Sequence, residues 1–192
     1  TADQITHLNL VTDVTTGTVT ATIDGNIAQL DDLSSNASQT ATCALAITVA
    51  DAVTVTTGKT VVDATSSTVA FTTGISDTLA NCIDNDAIHG DLTAIKNKDA
   101  DINITLATIN TISASQISHV NLVTNITTGT VTATINGNIT ELDDLATNAS
   151  RSATCTLNIT VADAVDIAGG KAVVDATAGT ITFTTGISDT LA

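Results

Sequence analysis

The decapeptide FTTGISDTLA fills residues 71–80 and returns letter for letter at residues 183–192. It is the best-preserved part of a longer echo. Residues 1–80 laid over residues 113–192, at a constant offset of 112, agree at roughly 56 of 80 positions. Many of the mismatches exchange Val for Ile, Thr for Ser or Asp for Asn. A tandem repeat constrains the fold more than any single motif, because each copy must either close on itself or bury its apolar face against the next. Both ends of the chain fall inside a repeat, so the expected organisation is a first repeat at 1–112, of arbitrary phase, and a second, truncated one at 113–192, excerpted from a longer array.

Four segments of the first repeat alternate apolar and polar residues: VTATI at Val19–Ile23, LAITV at Leu45–Val49, TVAFT at Thr68–Thr72 and INITL at Ile102–Leu106. Each reads as a short strand. The next VTATI starts at Val131, so successive starts lie about 26, 23, 34 and 29 residues apart. The mean, near 28, is the size of one coil in a strand-plus-helix solenoid, and the repeat then contains four coils.

Between strands the apolar spacing changes from two to three or four, which is helical. Ile27, Leu30 and Leu33 show it, as do their copies Ile139, Leu142 and Leu145, and also Ile117, Val120 and Val123. Asn138-Ile139-Thr140-Glu141 and Ser113-Ala114-Ser115-Gln116 have the form of capping boxes at helix starts. The longest insertion runs through Leu79, Cys82, Ile83, Ile88, Leu92 and Ile95, with a break near Gly90. Ala52–Ala64 carries a mid-segment glycine in both copies and reads as a loop or a 3₁₀ turn.

The expected fold class is therefore α/β: a right-handed strand-plus-helix solenoid with an open-ended parallel sheet. Its rival is a string of β-sandwich domains, one per repeat. The capping boxes and the three-to-four spacings weigh against that plan, as does the absence of Pro and Trp.

Trp, Tyr, Met and Pro are all absent, and Phe71 and Phe183 are the two aromatic residues, so the core must be built from small aliphatics. Hydrophobic residues nevertheless make up 43% of the chain, which is not the composition of a disordered segment. Five Lys plus Arg against twenty Asp plus Glu give a formal charge of −15, which would repel a nucleic-acid backbone and favours cations as counterparts. No apolar run approaches the roughly 20 residues of a membrane span.

Cys43 shares a strand face with Leu45 and Ile47, and Cys82 lies on the apolar stripe of Leu79 and Ile83, so both are expected to be buried. Cys43, Cys82 and Cys155, the copy of Cys43, are either buried thiols acting as small hydrophobes or partners in disulfides within or between repeats. Acidic clusters at Asp84, Asp86 and Asp91, and at Asn97, Asp99, Asp101 and Asn103, offer alternating oxygen atoms in the manner of calcium loops. They lack the turn glycine and terminal Glu of an EF-hand, and a solvated acidic turn is the competing reading. Asp24-Gly25, which becomes Asn136-Gly137, reads as a turn, and Asp31-Asp32 and Asp143-Asp144 as the wet face of a helix.

His7 and His119 are placed near helix ends without a carboxylate partner, and neither a triad nor a zinc spacing is found, so no enzymatic role is expected. Six Asn-X-Ser/Thr triplets, at Asn36, Asn103, Asn125, Asn138, Asn148 and Asn158, are about what this composition yields by chance. The row Thr18, Thr20, Thr22, repeated at Thr130, Thr132 and Thr134, is similar to the flat threonine arrays of ice-binding solenoids, although one strand in four carries it.

ITVADAV at Ile47–Val53, together with GISDTLAN at Gly74–Asn81, resembles the tandem repeats of very large bacterial cell-surface proteins, cyanobacterial ones especially, in which ISDTAANL-like and VTVADA-like phrases recur. The resemblance covers nearly the whole chain and implies an extracellular adhesin, surface-layer or filament role without catalytic residues. Cys82 departs from it, standing where a small aliphatic residue is expected. The function expected is a structural repeat segment of an extracellular bacterial surface protein forming a fibre, sheath or stalk. A ligand-binding adhesin repeat contacting glycan is the alternative, and an ice-binding solenoid the minor one. The partners expected are neighbouring repeats, other copies of the chain and cell-surface polysaccharide; no cofactor is expected other than calcium as a candidate.

Overall fold

The computed structural model describes residues 2–34, 43–146 and 155–189. In chain order its elements are α1 (Ala2–Val14), β1 (Val19–Gly25), α2 (Ile27–Ser34), β2 (Cys43–Val49), α3 (Val55–Asp63), β3 (Val69–Phe71), β4 (Ile75–Asp77), α4 (Leu79–Cys82), β5 (Ile83–Asp84) and β6 (Ala87–Ile88). There follow α5 (Gly90–Lys98), β7 (Ile104–Leu106), α6 (Ala114–Ile126), β8 (Val131–Gly137), α7 (Ile139–Ala146), β9 (Cys155–Val161), α8 (Ile167–Asp175) and β10 (Ile181–Phe183). The chain divides into two compact units, residues 1–76 with 90–103, and residues 77–89 with 104–192.

In the first unit β1, β2 and β3 lie side by side in chain order and all pair parallel. Parallel neighbours need a crossover, and α2 and α3 supply it. The pleat sends Cys43, Leu45, Ile47 and Val49 to one face, where all four are buried. Leu30 and Leu33 of α2, Val61 and Val62 of α3, and Leu92 and Ile95 of α5 complete this core.

The second unit repeats the plan. Its strands β7, β8, β9 and β10 lie side by side in chain order and pair parallel, and the long crossovers are helices α6, α7 and α8. Val131, Ala133 and Ile135 of β8 and Leu157, Ile159 and Val161 of β9 bury one face against Ile117, Val120 and Val123 of α6 and Leu142 and Leu145 of α7. The fold is thus mixed α/β with parallel sheets, as the alternating strand and helix periods predict.

Three local expectations are corrected. Ala52–Ala64 contains a helix, α3, started by a reciprocal capping box between Thr54 and Thr57. Gly58 is there for space: a Cβ at this position would lie 2.9 Å from Cδ1 of Ile95 and 3.2 Å from Val53. The helical insertion after Leu79 also contains a hairpin, because Asn85 and Asp86 take φ of 48° and 59°, a two-residue turn that Asn and Asp tolerate. Ile83 and Ile88 are therefore paired strand residues. Finally, Asp24-Gly25 and Asn136-Gly137 end strands β1 and β8 rather than forming turns. A Cβ on Gly137 would meet Ile112 at 2.6 Å, so close packing accounts for that glycine.

Among the described residues no helix is long and apolar enough to cross a membrane. Asn36 and Asn148 lie outside the described residues, as does the structure of the side chains of Asp31, Asp32 and Asp143.

Candidate functional site

The letters that repeat best are those that tie one strand to its neighbour. In FTTGISD, the hydroxyl of Thr72 donates to the Val49 carbonyl at 3.0 Å and that of Thr73 to the Ala50 carbonyl at 2.6 Å. Thr184 and Thr185 repeat both bonds, each at 2.9 Å, on Val161 and Ala162. Gly74 takes φ +89°, open to glycine at no steric cost, and a Cβ would stand 2.2 Å from the Asn103 carbonyl. Ile75 then bridges Val53, and the Ser76 amide donates to the Val53 carbonyl at 2.8 Å. Ile187 and Ser188 do the same on Val165.

The aspartates of VADAV and ISD have a parallel duty. A helix start leaves amides without intrahelical partners. The Ile27 amide, first in α2, donates to the carboxylate of Asp51 at 2.8 Å, from the end of the next strand over. Ile139, first in α7, donates to Asp163 at 2.8 Å, and Ile167, first in α8, donates to Asp189 at 3.3 Å. A carboxylate at a helix N-terminus also meets the favourable end of the helix dipole. In these three units the helix start is thus capped by a side chain of the unit after it.

Buried threonines close the opposite turn. The Thr65 hydroxyl donates to the Leu45 carbonyl at 2.7 Å and accepts from the Leu45 amide at 2.8 Å. Thr177 repeats this on Leu157, at 2.9 and 2.8 Å. On the sheet's outer face the hydroxyls of Thr132 and Thr105 bond each other at 3.0 Å across neighbouring strands.

The sequence-derived candidates distribute as follows. Cys43, Cys82 and Cys155 are all buried, as expected, and none of the three is joined in a disulfide. Burial, with a smaller contribution from the charge of Asp77, pushes the Cys82 thiol up to about 12, so it stays protonated at neutral pH. Burial also raises Cys43. Asp84 ends β5 and accepts from the Asn85 side chain at 2.9 Å. Asp91 lies in the first turn of α5 and Asn97 near its end, exposed.

Asp99 accepts from the Phe71 amide at 2.7 Å. Desolvation pushes its carboxyl above the ordinary aspartate value, the Phe71 bond opposing and the neighbouring Asp101 adding to the rise. Asn103 contributes its carbonyl to the Ile75 amide at 2.9 Å. Among the described residues no three His, Cys, Asp or Glu side chains form a group that could hold a metal ion.

His119 is corrected on two counts. It sits mid-helix in α6, and its Nε2 lies 2.9 Å from Oδ1 of Asp86, at the tip of the β5–β6 hairpin. An open hollow of about 480 Å³, lined by Asp86, Ser115, Ser118, His119 and Leu122, adjoins the pair. The partner lies 33 residues upstream on a turn that the helical spacing conceals.

Of the helix caps, Ser113 and Gln116 close the expected box, and Asn26 with Gln29 forms an unforeseen one, at 3.2 and 3.1 Å. Comparison with protein-family models, with curated proteins and with solved structures gave no match.

Proposed function

We propose that this chain is a structural repeat segment of an extracellular bacterial surface protein. In this reading successive strand–helix units wind as a right-handed solenoid, about four coils per 112-residue repeat, and the array builds a fibre, sheath or stalk. One observation carries it: the residues repeated most faithfully are those that bond neighbouring units, with Asp51, Asp163 and Asp189 capping the helix of the unit before. In a protein that acts on a ligand, the best-kept side chains are expected to converge on a pocket. Here they are used on the chain's own backbone, and extension is the property they serve.

The lack of aromatic platforms speaks against a sugar-stacking adhesin, and the reading assigns no catalytic role. A charge of −15 makes side-by-side association of such arrays dependent on cations or salt. Electron microscopy of the native assembly, with and without a calcium chelator, tests both statements. Smooth rods with an axial repeat of about 19 Å, four strand spacings, are expected. Loss of lateral bundling on chelation is expected as well. Beads about 40 Å apart would replace the solenoid by a string of closed domains.

A further inference from the structure

The two copies of one surface differ in what covers them. In the first unit α5 packs on α3, and residues 90–103 meet the α3–β3 face at several points. Ile95 fills the notch at Gly58. The ammonium of Lys98 donates to the carbonyls of Thr65 and Ser67 at 3.1 and 2.8 Å. Asp99 takes the Phe71 amide, and the Asn103 carbonyl takes that of Ile75. Beneath this cover Val55, Val62 and Ile75 are 2%, 4% and 1% exposed.

In the second unit the same positions are Ile167, Val174 and Ile187, and they are 63%, 50% and 56% exposed. The backbone there keeps its shape. Gly186 holds φ +86° where Gly74 holds +89°, yet among the described residues a Cβ on Gly186 would meet nothing within 4 Å, whereas one on Gly74 would strike Asn103.

We propose that the α8–β10 face of the second unit is a docking surface for the Gly90–Asn103 segment of another copy of this repeat. The proposal rests on the reading of the chain as a stacking repeat, and it names the surface and its occupant. Ile95 of the incoming copy seats at Gly170, its Lys98 reaches the carbonyls of Thr177 and Gly179, and its Asp99 takes the Phe183 amide. These are the positions that correspond to Gly58, Thr65, Ser67 and Phe71. The occupant follows from the first unit, where a segment of that sequence is seen on the matching face.

The test extends the full chain beyond Ala192 with a second copy of residues 81–106 and measures hydrogen exchange at the Phe183 amide. Docking slows that exchange by about tenfold or more relative to the unextended chain, in line with a newly formed buried bond. The slowing disappears when the appended copy carries Ile95→Asp, or when the notch is filled by Gly170→Val. Unchanged exchange at Leu142 and Val161 establishes that the Gly170→Val chain keeps its fold. Equal Phe183 exchange with and without the extension overturns the proposal, as does slowing that survives both substitutions. Because this readout is local, docking can succeed while scattering from longer arrays shows no rod, so the two proposals fail separately.

Discussion

β1 and β8 differ by one letter, VTATIDG against VTATING, yet their inward faces differ in burial throughout. Val19, Ala21 and Ile23 are half-buried, whereas Val131, Ala133 and Ile135 are buried. β8 has β7 on one side and β9 on the other, while among the described residues β1 is paired with β2 alone. The same holds for the helices ahead of them: Val11 of α1 is 52% exposed and its copy Val123 of α6 is fully covered, where α4 and β6 pack on α6. The difference teaches that a residue in this chain is stabilised by its neighbour's presence as much as by its own identity.

Truncating the matched inward residues of β1 and β8 should separate the two strands most. Ile135→Ala should cost about 3 to 4 kcal/mol, cavity included, and Ile23→Ala only about 1 kcal/mol. Leu30 and Leu142 are both fully buried, so their alanine variants should cost the same within about 1 kcal/mol. Urea unfolding of the four variants checks this, with slopes compared as well as midpoints.

The matched glycines of α3 and α8 should respond with opposite sign. At Gly170 an added methyl meets Val165 at an ordinary 3.4 Å. Gly170→Ala should therefore gain the helix-propensity difference of about 0.5 to 1 kcal/mol. Gly58→Ala crowds Ile95 and Val53, so overpacking should outweigh the gain and leave a net loss of about 1 kcal/mol. Thermal melts of the two variants should move in opposite directions.

Removing a cap is a smaller change. Asp51→Ala and Asp163→Ala should each cost about 1 kcal/mol, and Asp189→Ala, whose bond is longer and exposed, a few tenths. Hydrogen exchange at Ile27, Ile139 and Ile167 localises the loss to the helix start of the preceding unit rather than to the strand that bears the aspartate.

The smallest effect is in pH. Asp99 holds its proton more tightly when folded than when unfolded, because burial raises its carboxyl. The folded state then binds more protons, so stability falls as pH rises from the ordinary aspartate value through the raised one. Asp99→Asn should flatten the stability profile in that interval and leave it unchanged near neutrality.

Much of this was legible in the sequence because the two periodicities are clean. Leu45, Ile47 and Val49 alternate on a strand, and Ile117, Val120 and Val123 recur on a helix, as the structure has them. What escaped were contacts between segments far apart in the chain. Gly58 reads as a helix breaker until Ile95 is seen against it. Asp51 carries no local sign of its role, because the amide it caps lies 24 residues away. His119 and Asp86 meet only because two positive φ angles turn a supposed helix into a hairpin. The internal repeat carried a signal for the aspartates, since VADAV and ISD keep Asp while the intervening helix changes. It did not say which amide they face.

Small-angle scattering from chains of one, two, three and four 112-residue repeats tests whether neighbouring repeats bury one another. Mutual burial between neighbouring repeats predicts a constant cross-section and a length growing by about 19 Å per added repeat. A flexible series of compact beads, with length per repeat near 40 Å and independent unfolding of each copy, would contradict it.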